Sequence, residues 1–161
     1  MTLGQTPSQT VGPFYAIGLT WPSNELVAAG TSGAVELTGL LLDGRGEPMA
    51  DGMVEVWDSA GGRWARSGTA PEGRFSFVVV KPDAANGGAP SLDVYVFARG
   101  LLRHQRTRIY FPDEPEANAA DPVLSALDER ERQTLVARQQ RASLLFDITM
   151  QGEAATVFFA H

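Results

Sequence analysis

The even scatter of turn formers is what most constrains this chain: seventeen glycines and ten prolines lie along 161 residues, with no pooling into a linker. Glycine and proline punctuate regular structure, so the chain must build many short elements joined by turns. Between the breaks the apolar pattern has the period of strands. Val35 and Leu37 lead into Leu40, Leu41 and Leu42, a break follows at Asp43-Gly44-Arg45-Gly46, and Val54 and Val56 then alternate with Glu55. Arg74 to Lys81 and Leu92 to Ala98 repeat the signal on either side of a Pro/Gly/Asn-rich loop. Thr107 to Phe111, Leu144 to Met150 and Thr156 to Phe159 are further short runs rich in β-branched and aromatic residues.

Only residues 121–139 predict helix, as one or two short segments. Asp121 precedes a proline suited to the first helical position, and Asp128 with Glu131 has the spacing of a capping box. Seven or eight short strands with this single helical excursion describe an all-β fold, a single β-sandwich domain over residues 1–161. Residues 1–29 lack periodicity and are expected to form an arm that wraps over the sandwich or over a partner.

Composition removes several classes of function. Thirteen basic against nineteen acidic residues give a net charge of −6, which opposes attraction to nucleic acid or anionic lipid. The absence of cysteine excludes disulfides, thiol nucleophiles and thiolate metal sites. No apolar run approaches the roughly 20 residues of a membrane span, and the N-terminus lacks the order of a secretion signal, so a cytoplasmic location is expected.

Familiar catalytic templates are missing too. The two histidines, His104 and His161, form no metal-binding pair. His104 sits among Arg103 and Arg106, which disfavour its protonated form and point to a surface or interface histidine rather than a general base. No nucleophile elbow or phosphate-binding glycine loop follows a strand. Asp113-Glu114-Pro115-Glu116 reads as solvated loop charge, and Trp57 as a core residue; Trp64, just past Gly61-Gly62, is either a lid on the core or a contact residue.

Two segments exceed what a generic sandwich needs. One is Thr6 to Tyr15, dense in turn formers and aromatics. The other is Phe97-Ala98-Arg99-Gly100, where an apolar strand ends on a guanidinium that either costs free energy or finds an anion. Twelve of the thirteen basic residues are arginine, and Arg99, Arg103, Arg106 and Arg108 are clustered, as either a solvated strand face or an interface or anion site.

These residues carry a resemblance. TPSQTVGPFY, VEVWDSAGGRW, GRFSFVVVKP, VFARG, TRIYFPDEPEANAADPVL and FDITMQGEAATVFF resemble, in order from Thr6 to Phe159, segments of the intradiol ring-cleaving dioxygenases, in particular the α-type chain of their two-chain members. The resemblance implies a β-sandwich that pairs with a homologous β-type subunit into a hetero-oligomer. It further implies cleavage of protocatechuate by dioxygen to 3-carboxy-cis,cis-muconate at a shared active site holding ferric iron, a step of aromatic catabolism in the β-ketoadipate pathway. In that family two tyrosines and two histidines hold the iron. The matching positions here are Trp64, Ala85, Ser91 and Asp93, which lack the phenolate and imidazole donors. The resemblance therefore implies that this chain binds no metal and has no catalytic residue of its own, and that Fe3+ belongs to the β-type subunit. It assigns to this chain a wall of the substrate pocket: Thr10, Gly12 and Pro13, flanked by Phe14 or Tyr15, together with Arg99, which either meets the substrate carboxylate or pairs at the interface. The alternative for the chain is a noncatalytic prealbumin-like β-sandwich binding module, which explains Val35 to Lys81 but leaves both ends, including Thr6 to Tyr15, without a rationale.

Overall fold

The computed structural model of the protein describes residues 4–19, 24–69, 71–85 and 87–160. Trp21 and His161 lie outside them. Nine strands are seen among these residues: β1 (Ala34–Leu42), β2 (Gly52–Asp58), β3 (Arg63–Gly68), β4 (Arg74–Val80), β5 (Ser91–Ala98), β6 (Gln105–Tyr110), β7 (Arg138–Gln140), β8 (Ser143–Leu145) and β9 (Ile148–Thr149). One sheet has the order β4-β1-β8-β7, with β9 also pairing along β1, and the other has the order β3-β2-β5-β6. Side chains alternate across each strand, so one face of each sheet supplies the core. Leu37, Leu41, Phe75, Phe77 and Val79 from the first sheet join Val54, Val56, Leu92, Val94, Val96 and Ile109 from the second in one buried cluster. The expected sandwich is present.

Four short helices surround it: α1 (Tyr15–Leu19), α2 (Pro115–Ala120), α3 (Pro122–Ser125) and α4 (Glu129–Gln133). Asp121 caps α3 by accepting from the backbone N–H groups of Val123 and Leu124, and Asp128 with Glu131 forms the complete capping box that starts α4. The expected helical stretch stops earlier than 139. The Thr134 hydroxyl donates to the Glu131 carbonyl at 2.7 Å and closes the last turn. Leu135 and Ala137 are then buried with the two-residue period of a strand, and β7 pairs with β8.

Other differences have equally local causes. Trp57 is 42% exposed rather than core. Val54 and Val56 face inward, so parity places Glu55 and Trp57 on the outer face of the sheet. The Asp113-Glu114 pair is not merely solvated, since both carboxylates take Lys81, at 2.8 Å for Asp113, and Pro115 opens α2 as a proline at the first helical position. The run from Leu144 to Met150 is split because the Asp147 carboxylate accepts the Leu40 N–H at 3.0 Å in place of a ladder carbonyl. Thr156 to Phe159 forms no strand, only a bridge between Phe159 and Arg106.

The arm is anchored along the sandwich. Asn24 and Leu26 exchange backbone hydrogen bonds with Val78 of β4, and Leu26 enters the core. The Arg66 guanidinium donates to the Leu19 carbonyl at 3.1 Å and holds the end of α1 against β3.

Gly39 marks the tightest approach in the core. A Cβ there would collide with the Phe146 carbonyl oxygen and the Phe75 ring. Gly39→Ala is expected to cost about 3 kcal/mol through overpacking. Urea unfolding checks this as a fall in midpoint at constant slope.

Candidate functional site

Both ends of β5 carry residues singled out by the sequence, and they are built differently. At the C-terminal end Arg99 follows Ala98, which pairs with Gly52 of β2. Continuing that antiparallel register places Asp51 opposite Arg99, and the Arg99 Nε donates to the Asp51 carboxylate. The Tyr15 hydroxyl donates to the Asp51 backbone carbonyl, and the Gly100 N–H donates to the Thr10 hydroxyl at 2.8 Å. Thr10, Tyr15 and Arg99 therefore meet in one cluster. Asp51, which joins two of them, gives no sign of this in the sequence, because it lies 48 positions from Arg99 and meets it only through the pairing of β2 with β5.

Burial pushes the Tyr15 hydroxyl up to about 12, with the Asp51 charge adding to the shift and Arg99 opposing it. Tyr15 is thus a neutral hydrogen-bond donor at physiological pH. It turns inward, while Phe14 is 77% exposed beside exposed Gly12 and Pro13. A Cβ at Gly12 would meet nothing in this chain. Its lack of a side chain is not required by internal packing. Next to the cluster lies an open groove of about 460 Å³ lined by Gln9, Val11, Phe97, Leu101, Leu102 and His104. The His104 ring packs against those of Tyr95 and Phe97, with both ring centroids 5.4 Å away.

At the opposite end of β5, three of the four positions matched to metal ligands surround one recess of about 100 Å³. Ala85, Ser91 and Asp93 line it together with Arg108 and Asp121. Arg108 donates from Nε and Nη2 to the Asp93 carboxylate, both at 3.1 Å, and from Nη1 to the Tyr110 hydroxyl at 3.3 Å. Tyr110 in turn donates to Asp121 at 3.1 Å. Trp64 does not join the recess. Its indole packs under the Arg66 guanidinium, 4.7 Å from the ring centroid, and lies 6.5 Å from the Trp57 ring.

The donor set does not fit ferric iron. A methyl, a hydroxymethyl and an indole are not ligands for a hard trivalent cation, and the one carboxylate is already paired with Arg108 and, at 3.4 Å, Arg106. Among the described residues no group of three or more His, Cys, Asp or Glu is placed to hold a metal ion.

Asp121 organises the walls of this recess. Burial raises its pKa, but the N–H groups of Ala89, Leu124 and Val123 and the Tyr110 hydroxyl outweigh that effect and hold its carboxyl below the ordinary value. A depressed folded-state pKa means that the ionised form stabilises the fold. That contribution is complete above the unfolded pKa and is lost as pH falls through the folded one. Asp121→Asn is therefore expected to lower stability by about 2 kcal/mol at neutral pH. The gap from the parent protein should narrow below about pH 4, as followed by urea midpoints across pH.

No family model matches the chain. It is 39% identical to the protocatechuate 3,4-dioxygenase alpha chain of Burkholderia cepacia, with 98% of each chain covered. That alignment runs to 193 positions against 161 residues here, so the relative carries segments without a counterpart in this chain. Identity to the corresponding alpha chain of Pseudomonas putida is 33%, covering 98% of this chain and 96% of that one. The fold superposes on an intradiol ring-cleavage dioxygenase from Tetranychus urticae with a TM-score of 0.64 at 14% identity, covering 91% of this chain and 93% of that structure. Among the described residues no helix is long and apolar enough to cross a membrane. By its full-length similarity to these alpha chains, carried on the fold they lead one to expect, the chain belongs to the intradiol ring-cleaving dioxygenases as a homologue of the protocatechuate 3,4-dioxygenase alpha chain.

Proposed function

We propose that this chain is the non-iron subunit of a two-chain intradiol dioxygenase, and that it walls a pocket whose ferric iron is held by a homologous β-type partner. Together the two chains would cleave protocatechuate with dioxygen to 3-carboxy-cis,cis-muconate. One observation carries the reading. The cluster of Thr10, Tyr15 and Arg99 and the recess at Ser91 and Asp93 sit at opposite ends of β5. With eight residues in the strand at about 3.3 Å per residue, they are about 23 Å apart. A pocket wall so far from its own chain's degenerate centre has use only for a centre on another chain.

The chemistry of the cluster suits that use. The Arg99 side chain is 61% exposed, and with Nε engaged by Asp51 its Nη groups are left to face a carboxylate. Gly12 and Pro13 offer a low wall of fixed backbone, which a planar ring can approach closely. Exposed Phe14 and Ile17, each 77% accessible, give the arm an apolar surface for the partner subunit. Iron supplies the activation of the catechol and oxygen in the partner's site, and the residues of this chain bind and orient.

Two measurements test the reading. The chain purified alone should be colourless and iron-free, whereas co-expression with the β-type chain of the same genome should yield a coloured complex that consumes oxygen with protocatechuate. Iron bound stoichiometrically by the isolated chain would contradict the proposal. In the complex, Arg99→Ala should raise KM for protocatechuate about thirtyfold, the worth of one charge-assisted contact, and KM for unsubstituted catechol by less than about twofold. Equal effects on both would make Arg99 an interface residue instead.

A further inference from the structure

We propose that Asp51 is a positioning residue for Arg99, fixing the guanidinium so that its free edge points at the substrate carboxylate. The inference rests on the reading of Arg99 as the group that meets that carboxylate.

The backbone that presents Asp51 is held on several sides. The Gly52 N–H donates to the buried Thr69 hydroxyl at 2.7 Å, and the Thr69 N–H returns a bond to the Gly52 carbonyl at 3.0 Å. The same Thr69 hydroxyl donates to the Met49 carbonyl at 2.7 Å. A Cβ on Gly52 would collide with the Leu41 side chain, so this turn sits directly on the core. On the other side the neutral Tyr15 hydroxyl grips the Asp51 carbonyl. The Asp51 carboxylate is thus offered from fixed backbone to a long and mostly exposed arginine.

Guanidinium geometry converts that contact into direction. The group is planar, with Nε–H and one Nη N–H along the same edge, so the bond from Nε turns that edge toward Asp51 and leaves the outer Nη donors directed away from it. No described residue accepts from those Nη groups. An unpinned arginine at this exposure would sample many rotamers and lose that freedom on binding; the Asp51 contact makes part of that ordering in advance. Simple electrostatics predicts the reverse. A negative charge beside the binding group repels an anionic substrate, so on charge alone removal of Asp51 would tighten binding.

The test uses the co-expressed two-chain complex with Asp51→Ala, Asp51→Asn, Arg99→Ala and the Asp51→Ala/Arg99→Ala double variant, each assayed with protocatechuate and with catechol. Assembly is checked by gel filtration, and the isosteric Asp51→Asn stands in should the alanine variant fail to assemble. Asp51→Ala should raise KM for protocatechuate about three- to fivefold, the worth of an exposed ion pair, with less than a twofold change for catechol. Asp51→Asn, which keeps an acceptor oxygen, should fall between parent and alanine. The double variant should match Arg99→Ala alone, because both changes disable one unit. A lower or unchanged KM in Asp51→Ala, or additive losses in the double variant, would overturn the positioning role while leaving Arg99 itself in place. If Arg99→Ala treats the two substrates alike, the carboxylate reading fails and the positioning role fails with it.

Discussion

The length of β5 is the constraint on which the functional account depends. One strand, eight residues from Ser91 to Ala98, carries a small recess at its start and an arm-docking cluster at its end. Both ends are pinned by cross-strand partners in the same sheet, where Asp93 lies between Trp57 and Arg108, and Ala98 lies beside Gly52. A β-strand neither bends back nor shortens, so no rearrangement within the sandwich brings Arg99 to the recess of its own chain. In the proposed reading, what Arg99 and Thr10 serve approaches from outside the chain.

In the proposed reading, the recess is a site that keeps its shape without metal ligands. Three of the four matched positions converge, because the walls are set by the sheet register and by the Ala89, Val123 and Leu124 N–H groups donating to the Asp121 carboxylate, none of which rests on the matched side chains. Where a metal site would have a cation, this chain places Arg108, fixed by Asp93 on one side and by Tyr110 and Asp121 on the other. Burial pushes the Tyr110 hydroxyl up to about 12, with Arg108 opposing, so it serves as a neutral link between guanidinium and carboxylate. A permanent side-chain cation satisfies the remaining acid without any exchangeable ion.

Much of this was legible in the sequence, and the remainder was hidden for physical reasons. Period-two runs located β1, β2, β4, β5 and β6, and the capping residues Asp121 and Asp128 marked helix starts, because both signals are local. Trp57 was assigned to the core on alternation, yet the alternation that turns Val54 and Val56 inward turns Glu55 and Trp57 outward. β3 and β7 carry too few apolar residues to announce themselves and exist through pairing with β2 and β8. The segments holding Thr10, Tyr15 and Arg99 stood out by their residue types, and their assignment to a pocket wall came from the family resemblance. Asp51, 48 residues from Arg99, acquires its partner only through the register of β2 with β5.

The central claim is one of location: in the assembled complex, iron lies near the arm cluster of this chain and far from its own recess. Because the chain contains no cysteine, one introduced thiol places a single spin label on it. Labels at Leu102→Cys, beside the cluster, and at Ala84→Cys, beside the recess, can be compared in the iron-containing complex by their relaxation enhancement. The account predicts the stronger enhancement at position 102. Stronger enhancement at position 84 would place the metal at this chain's own recess and contradict it.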